Sequence, residues 1–94
     1  MPRQDVFKAL SDPTRRKILR LLRKRPMQAG ELAAAFDMTK GTLSHHFNIL
    51  KQAALVRCER RGQFQVYSLN TSVFEETLAM LIDLLGSEKK RKRS

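Results

Sequence analysis

Residues 29–52, AGELAAAFDMTKGTLSHHFNILKQ, decide the reading of this 94-residue chain. Leu32, Ala33 and Phe36 fall at i, i+1 and i+4, the spacing of one helical face, and predict a short helix from about Ala29 to Phe36. Asp37-Met38-Thr39 interrupts that pattern, and Thr39 is a suitable N-cap for a second helix reaching about Gln52. Leu43, Phe47 and Leu50 fall at i, i+4 and i+7 and make a core-facing stripe. The opposite face offers Lys40, Gly41, Thr42, Ser44, His45 and Asn48, which are short, polar and free of acids. A short helix, a tight turn and a second helix of this kind form a helix-turn-helix, whose second helix enters a DNA major groove with its N-terminal residues against base edges. The groove is about 12 Å wide, so a reading face must be low and polar, and Gly41 and Ser44 keep it low. Thr39 or Lys40 at the helix start suits a phosphate.

Upstream, Val6, Phe7 and Leu10 share one side of a short first helix from about Gln4 to Leu10. Asp12-Pro13 then supplies an N-cap acid and a proline at the first helical position. The helix so opened points Ile18, Leu19, Leu21 and Leu22 inward and Arg15, Arg16, Arg20, Arg23 and Lys24 mostly outward, and Pro26 stops it. Downstream, Val56–Arg60 and Phe64–Leu69 alternate as strands and predict a hairpin turning at Arg61-Gly62-Gln63. Arg60, Arg61 and Gln63 at its tip suit an adjacent minor groove or a phosphate, the other reading being a solvated turn. The last helix starts near Asn70-Thr71-Ser72, with Ser72 and Glu75 in position for a capping box, and should stop at Gly86. Phe74, Leu78, Leu81 and Leu85 are spaced 4-3-4, as in a helix-pairing seam, and Val73, Met80, Ile82 and Leu84 extend the apolar surface beyond it.

Nineteen Lys and Arg against nine Asp and Glu give a formal charge of +10. Residues 87–94 carry five bases and one acid, or +4, so residues 1–86 retain +6. Such a charge favours polyanions, with nucleic acid ahead of an anionic membrane. The 87–94 segment should be a disordered basic tail behind a single domain of residues 1–86, because like charges repel and it has nothing to bury. No stretch reaches the length of a membrane span, the N-terminus lacks a secretory apolar run, and one cysteine, Cys58, suits a reducing cytoplasm.

Taken together, FKALSDPTRRKIL (residues 7–19), LSHHFNIL (residues 43–50) and AALV (residues 53–56) resemble the ArsR family of bacterial repressors over nearly all of residues 4–86. GQF (residues 62–64) and YSLNT (residues 67–71) add a likeness to its small autorepressor-type members. The resemblance implies a mainly helical winged helix-turn-helix fold with a two-stranded wing, and repression from a pseudo-palindromic double-stranded DNA operator. It also implies a homodimer through the first and last helices, which puts Val6, Phe7 and Leu10 in the interface with Phe74, Leu78, Leu81, Ile82 and Leu85. Two positions depart from the family pattern. Ala54 stands where glycine is usual, and Gln28 stands where Ser or Thr often caps the next helix, although Glu31 remains three positions on.

Thiolate sensors of this family carry paired cysteines before the recognition helix, a region that here reads Gln28-Ala29-Gly30-Glu31-Leu32-Ala33. Other sensors use His with acids on the final helix, where Asp83, Glu75 and Glu76 have no His beside them. His45 and His46 point about 100° apart, so His45 should face DNA and His46 the core, and no metal or cofactor is expected. Cys58 has no resolving partner in sequence, and no phosphate loop or nucleophile–base pair suggests an enzyme. Two other classes remain to be weighed: a scaffold whose last helix docks a different protein, and a non-specific RNA or membrane binder acting through the tail. Release from DNA would then depend on protein level, a protein antagonist or an unrecognised ligand.

Overall fold

Asp12 and Pro13 start the second helix as their chemistry dictates. The Asp12 carboxylate accepts the Arg15 N–H at 3.0 Å, and Pro13 occupies the first helical position. The structure, a computed structural model, describes the backbone of residues 4–93 and the side chains of residues 5–86. It comprises α1 (Gln4–Leu10), α2 (Pro13–Lys24), β1 (Met27–Gln28), α3 (Ala29–Ala34), α4 (Lys40–Gln52), β2 (Val56–Arg61), β3 (Phe64–Leu69) and α5 (Thr71–Arg93). The sheet is antiparallel in the order β1-β3-β2. Its first strand was invisible to periodicity, since two residues cannot alternate. Met27 pairs with Tyr67 and Gln28 with Val66, which ties the entrance of α3 to the wing.

One core joins the layers. Val6 and Ala9 of α1, Ile18, Leu19 and Leu22 of α2, Leu32 of α3, and Leu43, Phe47 and Leu50 of α4 are buried together with Ala53, Leu55, Val56 and Tyr67. The Phe47 and Tyr67 rings meet with centroids 4.6 Å apart, joining α4 to the central strand. Burial also corrects two sequence readings. Val6 has no accessible surface within the single chain, so it belongs to this core rather than to a surface offered to a partner. Arg15, expected to point outward, is 7% exposed.

Helix ends supply further corrections. α3 stops at Ala34, because the Ala35 and Phe36 N–H groups donate to Leu32 and Ala33 at 3.0 and 3.1 Å in a tighter turn. Its start carries a capping box between Gln28 and Glu31, with Glu31 accepting the Gln28 N–H at 3.0 Å. α5 begins at Thr71, which places Ser72 inside the first turn rather than at the cap, and the Val73 N–H donates to the Asn70 carbonyl at 3.2 Å. The helix runs through Gly86 instead of stopping there, taking the backbone of the basic segment into α5 as far as Arg93. The side chains of that segment lie outside the described residues.

Ala54 resolves the first departure from the family pattern. Its φ is +58°, its N–H donates to Lys51 at 2.9 Å, and the Leu55 N–H donates to Leu50 at 3.1 Å. These two bonds are those of a Schellman ending, which wants glycine at this position. A left-handed alanine costs about 1–2 kcal/mol, partly offset by its stiffer unfolded chain. Ala54→Gly is therefore expected to stabilise the fold by about 0.5–1 kcal/mol, raising Tm by roughly 2–8 °C at fixed protein concentration. Thermal unfolding of the two proteins checks this, and an unchanged or lower Tm would refute the strain.

Candidate nucleic-acid interface

α4 presents the expected face. Thr39 caps it, its Oγ1 accepting the Thr42 N–H at 3.2 Å and donating to the Thr42 hydroxyl at 2.9 Å. Lys40, Gly41, Thr42, Ser44, His45 and Asn48 are all exposed, while Leu43, Phe47 and Leu50 hold the helix from behind. No acid occupies its first turn. An added Cβ at Gly41 would meet nothing within 4 Å, so the fold itself does not require glycine there.

The wing turns at Gly62, where φ is +62°, with Arg61 paired to Phe64 across the two-residue loop. A positive φ at the first loop residue alone is the pattern of a type II′ turn, for which glycine is suited. Arg60, Arg61 and Gln63 are exposed, but Arg61 already donates from Nε to Glu59 at 3.0 Å. Two clefts, one on the wing side and one on the α4 side, meet at Ala29 and Gly30. Gln28, Ala29, Gly30, Arg60, Gln63, Phe64 and Gln65 line one of about 370 Å³. Lys40, Leu43 and Ser44 line another of about 250 Å³ with Ala29, Gly30 and Ala33. Ala29 and Gly30 thus form a low saddle between α4 and the wing. Sequence reasoning missed both this saddle and Phe64, which is 48% exposed on the wing; neither carries a charge or periodic signal to reveal it.

The back of α4 is anchored by a group the sequence pattern set outside. The Arg15 guanidinium donates from Nε to the Ala9 carbonyl at 2.9 Å and from Nη2 to the Lys8 carbonyl at 3.0 Å. Its Nη1 lies 3.2 Å from His46 Nδ1, and that contact is a hydrogen bond when the imidazole carries its proton on Nε2. Asp12 Oδ2 is 3.7 Å from the same ring nitrogen. Burial pushes the Asp12 carboxyl up, yet its pKa lies below the ordinary value because of the Arg15 N–H and the charges of Arg15 and His46, with a further Thr14 N–H contribution. His46 is half-buried and His45 exposed, so the adjacent histidines meet different surroundings although their ring centroids are 6.0 Å apart. Among the described residues no group of three His, Cys, Asp or Glu side chains could hold a metal ion.

A separate apolar face lies on α5. Val73 and Phe74 pack against the core and Thr77 is buried, its hydroxyl donating to the Val73 carbonyl at 2.8 Å. Leu78, Leu81, Ile82 and Leu85 are exposed, with Phe7 of α1 also 45% exposed. Leu10 is half-buried. Phe74 is partly buried against the core, whereas the leucines beyond it are exposed and lie outside the core cluster of the described residues. Among the described residues no helix is long and apolar enough to cross a membrane.

Comparison with known proteins agrees with this architecture. The family model described as bacterial regulatory protein, arsR family, matches residues 12–57. The transcriptional repressor SdpR of Bacillus subtilis is 49% identical over 82 residues, covering 87% of this chain and 91% of SdpR. A crystal structure of an ArsR family transcriptional regulator aligns with a TM-score of 0.82 at 28% identity, covering 90% of this chain and 88% of that one. The homodimeric winged helix-turn-helix domain of Mb0332 from Mycobacterium bovis aligns with a TM-score of 0.69 at 29% identity, covering 94% and 81%.

Two outcomes follow from the support of α4. Arg15→Met leaves the Ala9 carbonyl without its side-chain donor, while the Lys8 carbonyl keeps the Ser11 N–H and hydroxyl, and is expected to cost about 1–3 kcal/mol in denaturant unfolding. A loss below about 0.5 kcal/mol would mean that the guanidinium adds little beyond its stem. For Asp12, a depressed folded-state pKa means that its ionic contribution is present above the unfolded-state pKa. It is lost as pH falls through the lower, folded-state value. Asp12→Asn keeps an acceptor at the cap without that charge, so its stability deficit against the parent should shrink on acidification. A deficit independent of pH would contradict the assignment.

Proposed function

The chain belongs to the ArsR family of bacterial transcriptional regulators, and we propose that it is a homodimeric repressor that reads a pseudo-palindromic operator with α4. The carrying observation is the exposed, acid-free face from Lys40 to Asn48, seated on the buried Leu43, Phe47 and Leu50. Ser44, His45, Thr42 and Asn48 meet base edges in the major groove, and Gly41 lets the backbone approach. Lys40 and Thr39 take phosphates at the helix start. The ridge of sugar and phosphate between the two grooves rests on the Ala29–Gly30 saddle, which leaves Arg60 and Gln63 over the minor groove. Arg61 joins them only by giving up Glu59, so it contributes less than Arg60.

Pairing supplies the symmetry. Phe7 and Leu10 of α1 with Phe74, Leu78, Leu81, Ile82 and Leu85 of α5 form the dimer face, burying the apolar surface that one chain leaves in water. A two-fold dimer places two reading helices on successive major grooves, about 34 Å apart along the duplex. In this reading the protein is a cytoplasmic DNA-binding regulator acting at the nucleoid, without catalysis, a cofactor or a metal-responsive step. A protein antagonist remains one route by which repression could be lifted.

Selection of bound sequences from random DNA should return an inverted repeat, and the double variant Ser44→Ala, His45→Ala should lose at least about tenfold affinity for it. Sedimentation should still show a dimer, and the dependence of log affinity on log salt should stay nearly unchanged because phosphate contacts persist. Unchanged operator affinity in the double variant would overturn α4 as the reading element.

A further inference from the structure

A cavity of about 300 Å³ opens between the second half of α2, the end of β3 and the start of α5. It lies apart from the α4 face and the wing tip and borders the proposed pairing face at Phe74. Leu19, Leu69 and Phe74 line it with Thr71, Arg20 and Arg23, and its exposed lining is carbon almost throughout. The two arginines therefore contribute their methylene stems to the wall and leave their guanidinium heads at the mouth. Arg15, Arg16, Arg25, Arg57 and Arg61 each hold a hydrogen-bond acceptor within the chain. Among the described residues Arg20, Arg23 and Arg60 hold none and are exposed, Arg60 lying at the wing tip and the other two at this groove. The helix dipole accounts for Arg23, in the last turn of α2, but not for Arg20.

We propose that this groove binds a small amphipathic carboxylate, with its tail on Leu19, Leu69 and Phe74 and its head between Arg20 and Arg23. The charge at the mouth selects an anion, since two guanidinium forks without partners match a planar carboxylate. The carbon walls select an acyl or aryl tail of modest size, because the volume stands at the lower end of the range for small-molecule sites, about 300–1,000 Å³. No acid occupies the first turn of α5, whose start reaches the groove through Thr71, so the mouth contains no built-in competitor there. The walls come from β3 of the wing and from the α5 pairing helix, so an occupant would touch two elements that the DNA-binding reading uses. The binding itself is measured without DNA and does not depend on that reading.

Decanoate is the probe, with decanol and decyltrimethylammonium as neutral and cationic controls, titrated into the full isotope-labelled protein. Decanoate should shift the amide signals of Leu69, Thr71 and Phe74 saturably, with Kd of about 0.1–1 mM. The exposed double variant Arg20→Gln, Arg23→Gln should bind it about tenfold more weakly, decanol should match that weaker affinity, and the cation should not shift these signals. Equal affinity for all three amphiphiles, or shifts centred on Leu78, Leu81 and Leu85, would overturn the proposal by showing adsorption to the pairing face. No saturable shift at several times the expected Kd would also overturn it. Sedimentation completes the test: dimerisation weakened by the double variant, with no decanoate binding, would assign the groove to a second copy of the chain. If decanoate binds as expected while operator affinity is unaltered by it, the site stands and only its link to DNA fails.

Discussion

A single buried guanidinium holds the working parts of this protein in register. Arg15 leaves the first turn of α2, donates to the Lys8 and Ala9 carbonyls near the end of α1 and reaches His46 on α4. Three helices are thereby joined through one planar group whose donors point in fixed directions. A buried cation is costly unless its protons are placed and an anion is near; here carbonyls and an imidazole accept them, and the Asp12 carboxylate supplies the compensating field. α1 carries the exposed Phe7 and α4 the exposed, acid-free face. In the proposed dimer, the distance between the two α4 helices thus depends on a joint that Arg15 rigidifies. Lysine could keep the charge but not the planar fork whose donors point in fixed directions.

Around that joint, each helix separates holding from presenting. α4 buries Leu43, Phe47 and Leu50 and leaves the intervening short residues in water. α5 uses its first turns for its own core, through Val73, Phe74 and Thr77, and then extends an apolar seam from Leu78 to Leu85. Exposed leucines at 45–73% accessibility gain by pairing because their apolar area leaves water, at about 25 cal/mol per Å². The strained Ala54 ends α4 where the chain must turn into β2, and its two Schellman bonds retain the turn despite the side chain.

Much of this was legible from residue spacing. The Asp12-Pro13 start, the Thr39 cap, the Leu43-Phe47-Leu50 stripe and the wing hairpin are local features, set by capping chemistry and by side-chain period within one element. The errors have a common physical origin. Arg15 reads as a surface base because nothing in α2 indicates that two carbonyls of α1 will lie above it. Val6 reads as a partner for another chain because an apolar side chain does not declare which surface will cover it. β1 is too short to alternate, and it exists only because β3 offers it an edge. Gly86 reads as a stop, yet a helix tolerates glycine at a cost of about 1 kcal/mol.

By itself, then, the amino-acid order determined the element types, the Asp12 and Thr39 caps, the acid-free face of α4 and the apolar stripe of α5, because each follows from a repeat of 3.6 or 2 residues or from one capping side chain. Tertiary structure decided which charges are buried, which apolar residues stay free, and where separate elements meet. The Arg15 joint, the Ala29–Gly30 saddle and the groove below Arg20 and Arg23 all combine residues far apart in the chain. Their contacts depend on how helices and strands are set against one another, and no local pattern encodes that placement.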